Sequence, residues 1–85
     1  MTVTERGRRS VTITESDNVT TILDDQSELG SLDNGMAIAK GIAFGHKVAL
    51  RDIAPGDPVI KYGVTIGHAE AAIPAGEHVH VHNCK

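Results

Sequence analysis

Three of the five histidines in this 85-residue chain stand at alternate positions near its C-terminus, in Glu77-His78-Val79-His80-Val81-His82-Asn83. Successive side chains on a strand point to opposite faces, so this spacing predicts one face with His78, His80 and His82 and another with Val79 and Val81. Histidines at i and i+2 stand about 6.5 to 7 Å apart at Cα, near enough for two imidazoles to lean onto one divalent ion. The outer pair, about 13 Å apart in an extended strand, cannot easily share one. The chemistry indicated is a metal or substrate site built on two of the three, with His46 or His68 as a further member. Two nitrogens hold an ion weakly, so little stable metal is expected on the isolated domain. The competing reading is the polar face of an edge strand on which His replaces Thr or Lys. With no cysteine pair and no His-Glu-x-x-His helix, the sequence carries no closed zinc motif that can be claimed.

Gly45-His46-Lys47 is the second candidate, because glycine lets the backbone approach an anion and Lys47 can pair with a carboxylate. The plainer reading is a polar turn before a strand. Lys61-Tyr62-Gly63 offers a similar cation, although Tyr at such a position more often fills the core or its rim. Asp17, Asp24 and Asp25 read as turn residues. Cys84 lies where fraying is expected, which argues against catalysis by it.

The elements that must position these groups are short. Ser10 to Thr14 alternates as a strand, Asp17-Asn18 is a turn, and Val19 to Leu23 is rich in β-branched residues that suit a strand. Asp24 to Gly35 reads as a loop with at most one helical turn. Met36 to Ala39, Lys47 to Leu50, Val59 to Tyr62 and His78 to His82 read as strands between Gly- and Pro-marked turns. The fold class is therefore all-β. Residues 1–9 are expected to form a flexible tail and 10–85 the domain. An echo at an offset of 20 strengthens the assignment: Ala49, Ile53, Gly56, Asp57 and Val59 are matched by Ala69, Ile73, Gly76, Glu77 and Val79.

Composition narrows the function. With one Tyr, one Phe and no Trp, the core rests on small aliphatic residues and a partner that covers more surface is plausible. A net charge of −3 with no sustained basic run argues against nucleic-acid binding. One cysteine forms no internal disulfide, and the chain has neither a signal-like apolar stretch nor a membrane-length one, so a soluble cytoplasmic protein is expected.

In order along the chain, Asp17-Asn18-Val19, Phe44-Gly45-His46-Lys47-Val48-Ala49-Leu50-Arg51-Asp52-Ile53, Gly56-Asp57-Pro58-Val59-Ile60-Lys61-Tyr62-Gly63, Ile66-Gly67 and Gly76-Glu77-His78-Val79-His80-Val81-His82-Asn83 resemble the SAF domain of altronate and galactarate dehydratases. The resemblance spans Val11 to Asn83. It implies a β-clip fold, like that of type III antifreeze modules, and a reaction in which a 2,3-dihydroxy acid loses water to give a 2-keto-3-deoxy acid. It further implies a divalent metal, Fe2+, in the assembled enzyme, a large dehydratase-family subunit as partner and a sugar acid as substrate; a homo-oligomer is compatible with it. In that setting His46, His80 and His82 are the catalytic candidates, His80 and His82 the metal ligands, and Lys47 and Lys61 the substrate-binding cations. Val64 departs from the pattern, since many relatives carry an acidic residue there. The small subunit of (2R)-sulfolactate sulfo-lyase has the same module, and a non-catalytic binding or assembly role is the third reading.

Overall fold

The computed structural model describes residues 7–80 and 82–85. Among the described residues there are six short strands and no helix: β1 (Ser10–Val11), β2 (Val19–Ile22), β3 (Lys47–Ala49), β4 (Pro58–Lys61), β5 (Val64–His68) and β6 (His78–Val79). Four of them form an antiparallel sheet in the order β1-β2-β3-β6, and β4 and β5 form a separate hairpin. The all-β class inferred from the sequence is thus the observed one.

The register explains why β2 is buried along its whole length. Val19 pairs with Ala49, and Lys47 pairs with Val79, so Val19, Ala49 and Val79 share one face of the sheet. That face packs with Ile53, Val59, Ala69 and Ile73. Ile22 and Val48 serve the other face, against Leu32, Ile38 and Ile42 from the long connection between β2 and β3. With core on both faces, the sheet needs no polar side.

The echo at an offset of 20 is a structural pseudo-twofold. Ile53 and Ile73 exchange both backbone hydrogen bonds at 2.8 Å. The Gly56 amide donates to the Ala69 carbonyl, and the Gly76 amide donates to the Ala49 carbonyl, each at 2.7 Å. Likewise Ala49 N–H bonds the Glu77 carbonyl and Ala69 N–H bonds that of Asp57, each at 2.9 Å. Each copy therefore bonds the other by the same pattern, and six matched residues supply six of the seven members of the first core.

Side chains tie these parts together. Asn18 is buried and takes the place of a strand residue: its Oδ1 accepts from the Ile60 amide at 2.7 Å and its Nδ2 donates to the Pro58 carbonyl at 2.8 Å, which fastens the hairpin to the sheet. The hairpin turns at Tyr62 and Gly63, both with positive φ (55° and 76°), the two-residue turn that fits the twist of paired strands. Its Gly63 amide donates to Asp17 at 2.7 Å.

Several expectations are corrected. Residues 1–6 of the expected tail lie outside the described residues, but Gly7 to Arg9 are held. Arg8 is fully buried, its guanidinium bonded to the Asp24 carboxylate at 2.9 Å, to the Asp24 carbonyl at 2.8 Å and to the Ile42 carbonyl. Asp24 is therefore the counter-ion of a buried cation, not a bare turn residue. Met36 to Ala39 form no strand, only a bridge of Ala37 to Ser31. The first strand ends at Val11, because Ile13 and Thr14 turn their amides to the Asp17 carboxylate. The last strand ends at Val79.

Candidate functional site

Two strands and one turn gather the imidazoles. Lys47 opposite Val79 and Val48 opposite His78 put His46, one residue before β3, across from His80. Gly45, at φ 82°, turns the chain into that position, and both ends of the turn are pinned to β2: the Gly45 amide donates to the Ile22 carbonyl and the Ile22 amide to the His46 carbonyl, each at 2.9 Å. On the other side the chain bends after His80. Asn83 makes the bend: its Oδ1 accepts from the His80 amide at 3.0 Å and its Nδ2 donates to the His78 carbonyl at 2.8 Å.

His46 Nδ1 and His78 Nε2 lie 2.8 Å apart and share one hydrogen bond. The His46 ring stacks on His80 with centroids 4.1 Å apart and on His78 at 5.0 Å. One nitrogen from each of His46, His78 and His80 lies within 4.8 Å of the others. Burial pushes the His78 imidazole below the ordinary histidine range, and His46, His82, His80 and Lys47 push the same way. Burial, followed by the charges of His46, Lys47 and His82, does the same to His80. These two rings are thus held neutral at physiological pH, the form that ligates metals and accepts protons.

The residues expected to carry chemistry divide accordingly. His46 and His80 come together. His82, expected on an extended strand about 13 Å from His78, instead follows the bend, and its ring is 5.3 Å from that of His78. It is exposed and stands outside the three-nitrogen group. His78, absent from the expected catalytic set, is the third member, and His46, nearest to both others, stands between it and His80. Its signal was present in the alternation, but the choice among three pairs needed the long-range partner, His46. Val79 is buried as the alternation requires, and Val81 lies outside the described residues.

Lys47 flanks the imidazoles and, with Ile66, Val79, His80 and Cys84, lines a concavity of about 180 Å³. Lys61 is elsewhere, at the tip of the β4–β5 hairpin, with its ammonium 4.8 Å from the centre of the Tyr62 ring. His68 is exposed, at the other end of the hairpin. Cys84 does not fray: its amide bonds the His80 carbonyl at 3.0 Å and the residue bridges to Ala69. Burial pushes its thiol up, and Glu70 adds to this while Lys47 opposes it, so the group is a protonated, poor nucleophile at neutral pH.

Among protein families, residues 8–85 match the model described as the altronate/galactarate dehydratase SAF domain. The chain is similar to altronate dehydratase of Escherichia coli (strain K12), with 50% identity over 72 residues, 81% of this chain and 14% of that protein. Galactarate dehydratase (L-threo-forming) of the same organism is 38% identical over 68 residues, 78% of this chain and 13% of that protein. The alpha subunit of (2R)-sulfolactate sulfo-lyase from Chromohalobacter salexigens is 52% identical over 48 residues, 56% of this chain and 51% of that one. The chain therefore spans a small fraction of the dehydratases and about half of the sulfo-lyase subunit.

Proposed function

The chain belongs to the altronate/galactarate dehydratase SAF-domain family, and from that premise we propose that it is the small subunit of a metal-dependent sugar-acid dehydratase. Its partner is a separate large dehydratase-family chain, and its substrate is a 2,3-dihydroxy acid. The observation that carries this reading is the meeting of His46, His78 and His80, of which His80 shares a concavity with Lys47, at the edge of a domain otherwise made of strands and turns.

The reaction breaks C2–H and C3–O bonds: a proton leaves C2, the C3 hydroxyl leaves as water, and the resulting enol becomes the 2-keto-3-deoxy acid. The C2 proton is poorly acidic because the adjacent carboxylate already carries charge. Lys47 supplies the cation that pairs with this carboxylate. An imidazole outside the His46, His78 and His80 group accepts the C2 proton and returns it to the departing hydroxyl, and His82, exposed and with its ring 5.3 Å from that of His78, is the one in reach. Three imidazole nitrogens also fit a divalent ion, which His46, His78 and His80 would hold. When bound, such an ion supplies a Lewis acid for the charge that develops on the substrate.

The alternative leaving group is sulfite, as in a sulfolactate sulfo-lyase. It is favoured by the likeness to a protein whose name marks it as one subunit of an assembly. Removal of the proton beside the carboxylate is common to both. The test is reconstitution with the large chain, followed by turnover of altronate, galactarate and sulfolactate by the wild type and by His46→Ala and His80→Ala. Loss of one of the three nitrogens that would hold the ion predicts a fall of at least about 10-fold for each variant, with the complex still forming by gel filtration. Near-normal rates in both variants would make the domain a binding or assembly module.

A further inference from the structure

We infer that this chain binds a transition-metal ion by itself, before any partner is present, through His46, His78 and His80. The inference rests on the proposed function for the ion's role but not for its binding.

Sequence spacing alone offers two nitrogens from one strand, which is too few for a stable site. The fold adds a third from a different strand, because the register of β3 on β6 sets His46 across from His80. Two nitrogens on one tetrahedral ion, at about 2.0 to 2.1 Å from it, stand roughly 3.3 Å apart. His46 Nδ1 and His78 Nε2 are at 2.8 Å, so opening that pair brings them to ligand spacing, while His80, stacked on His46 at 10° with a nitrogen within 4.8 Å, turns its ring to aim its lone pair at the same ion. The backbone on each side is fixed, by the Gly45 and Ile22 bonds before β3 and by the Asn83 bonds after β6. The ordering left to oppose binding is therefore the turning of side chains and not of backbone. Three imidazoles leave a fourth position open, as catalytic zinc-type sites do. Imidazole donors select Zn2+, Co2+, Ni2+ or Fe2+ over Mg2+ and Ca2+, which prefer oxygen. The ion would also link β3 to β6 and so raise the melting temperature.

The experiment uses the untagged 85-residue chain and Co2+ alone, with Mg2+ as the comparison. Expected are one Co2+ per chain with a visible ligand-field spectrum, a higher melting temperature, and paramagnetic broadening of the His46, His78 and His80 ring signals that spares exposed His68. Mg2+ should produce none of these. His46→Ala should weaken Co2+ by at least about tenfold, since even changes behind a ligand cost that much, and His68→Ala should not. The melting curve without metal reports whether His46→Ala is folded; the ring signals of the wild-type chain decide the assignment without any variant. No Co2+ bound at millimolar metal, or broadening centred on His68, would overturn the inference. A chain that stays metal-free yet forms a His80-dependent lyase with its partner would sink this inference and leave the proposed function standing. A chain that binds Co2+ on these residues but yields no lyase would do the reverse.

Discussion

Asp17 shows how much a single side chain carries here. Its carboxylate accepts hydrogen bonds from the Gly63, Ile13 and Thr14 amides and from the Thr14 hydroxyl, joining the β1–β2 turn to the hairpin tip. Burial alone would raise its pKa, but the Gly63 amide, the Thr14 hydroxyl and the other two amides outweigh burial and hold the group well below the usual carboxylate range. In the unfolded chain an Asp titrates near about 3.9. A depressed folded pKa means the stabilisation is complete above that value and is lost as pH falls below it. Urea midpoints of the wild type and Asp17→Asn should therefore differ most near neutrality and converge as pH drops from about 5 toward 2. A gap independent of pH would show that the charge of Asp17 contributes nothing. Asp24 behaves similarly, since burial raises its pKa while the Arg9 amide, Arg8 and the Gln26 amide lower it by more. Neither role was legible in the sequence. An Asp in a polar stretch looks like a turn residue, and only the fold brings Gly63 to Asp17 or Arg8 to Asp24.

At the scale of elements, the repeat was the most legible feature, because its positions recur at a fixed offset and each has a local reason: an apolar residue, a glycine, an acid, then a valine. What the sequence could not convey is that the copies bond to each other as well as each across its own turn. Nor could it convey that the strand after the second copy stops at Val79, since that bend depends on Asn83 bonding His78 and His80. The two glycines also differ in a way that only packing reveals. Both have positive φ, 85° at Gly56 and 87° at Gly76, so alanine at either costs about 1 to 2 kcal/mol of backbone strain. A Cβ at Gly56 would meet nothing within 4 Å, whereas one at Gly76 would lie 2.5 Å from the Ala37 carbonyl oxygen, a backbone atom that cannot swing aside. Chemical denaturation should show Gly76→Ala less stable than Gly56→Ala by a clear margin. Equal losses would mean that the 37–38 segment yields freely, and that the contact does not fix the connection between β2 and β3 onto the repeat.

For the whole molecule, the question is how much of an active site 85 residues can hold. The two cores consume both faces of the sheet, and the imidazole group is left at its edge, beside a concavity of about 180 Å³. Sites that enclose a small ligand usually measure about 300 to 1,000 Å³. The histidine edge is thus too shallow to surround a sugar acid and exclude water, both of which elimination next to a carboxylate requires. The surface also shows what a partner could cover: Phe44, two residues before His46, is 63% exposed, and Val64 on β5 is 61% exposed. We therefore expect the purified chain, folded and with metal supplied, to show no turnover of altronate, galactarate or sulfolactate, and turnover of one of them to appear on titration with the large chain and saturate at a fixed ratio. The check is a coupled assay for the 2-keto acid, or for sulfite release, across that titration. Turnover by the chain alone, at a rate that follows its concentration and survives repurification, would show that the histidine edge is sufficient and that the large chain is dispensable for the chemistry.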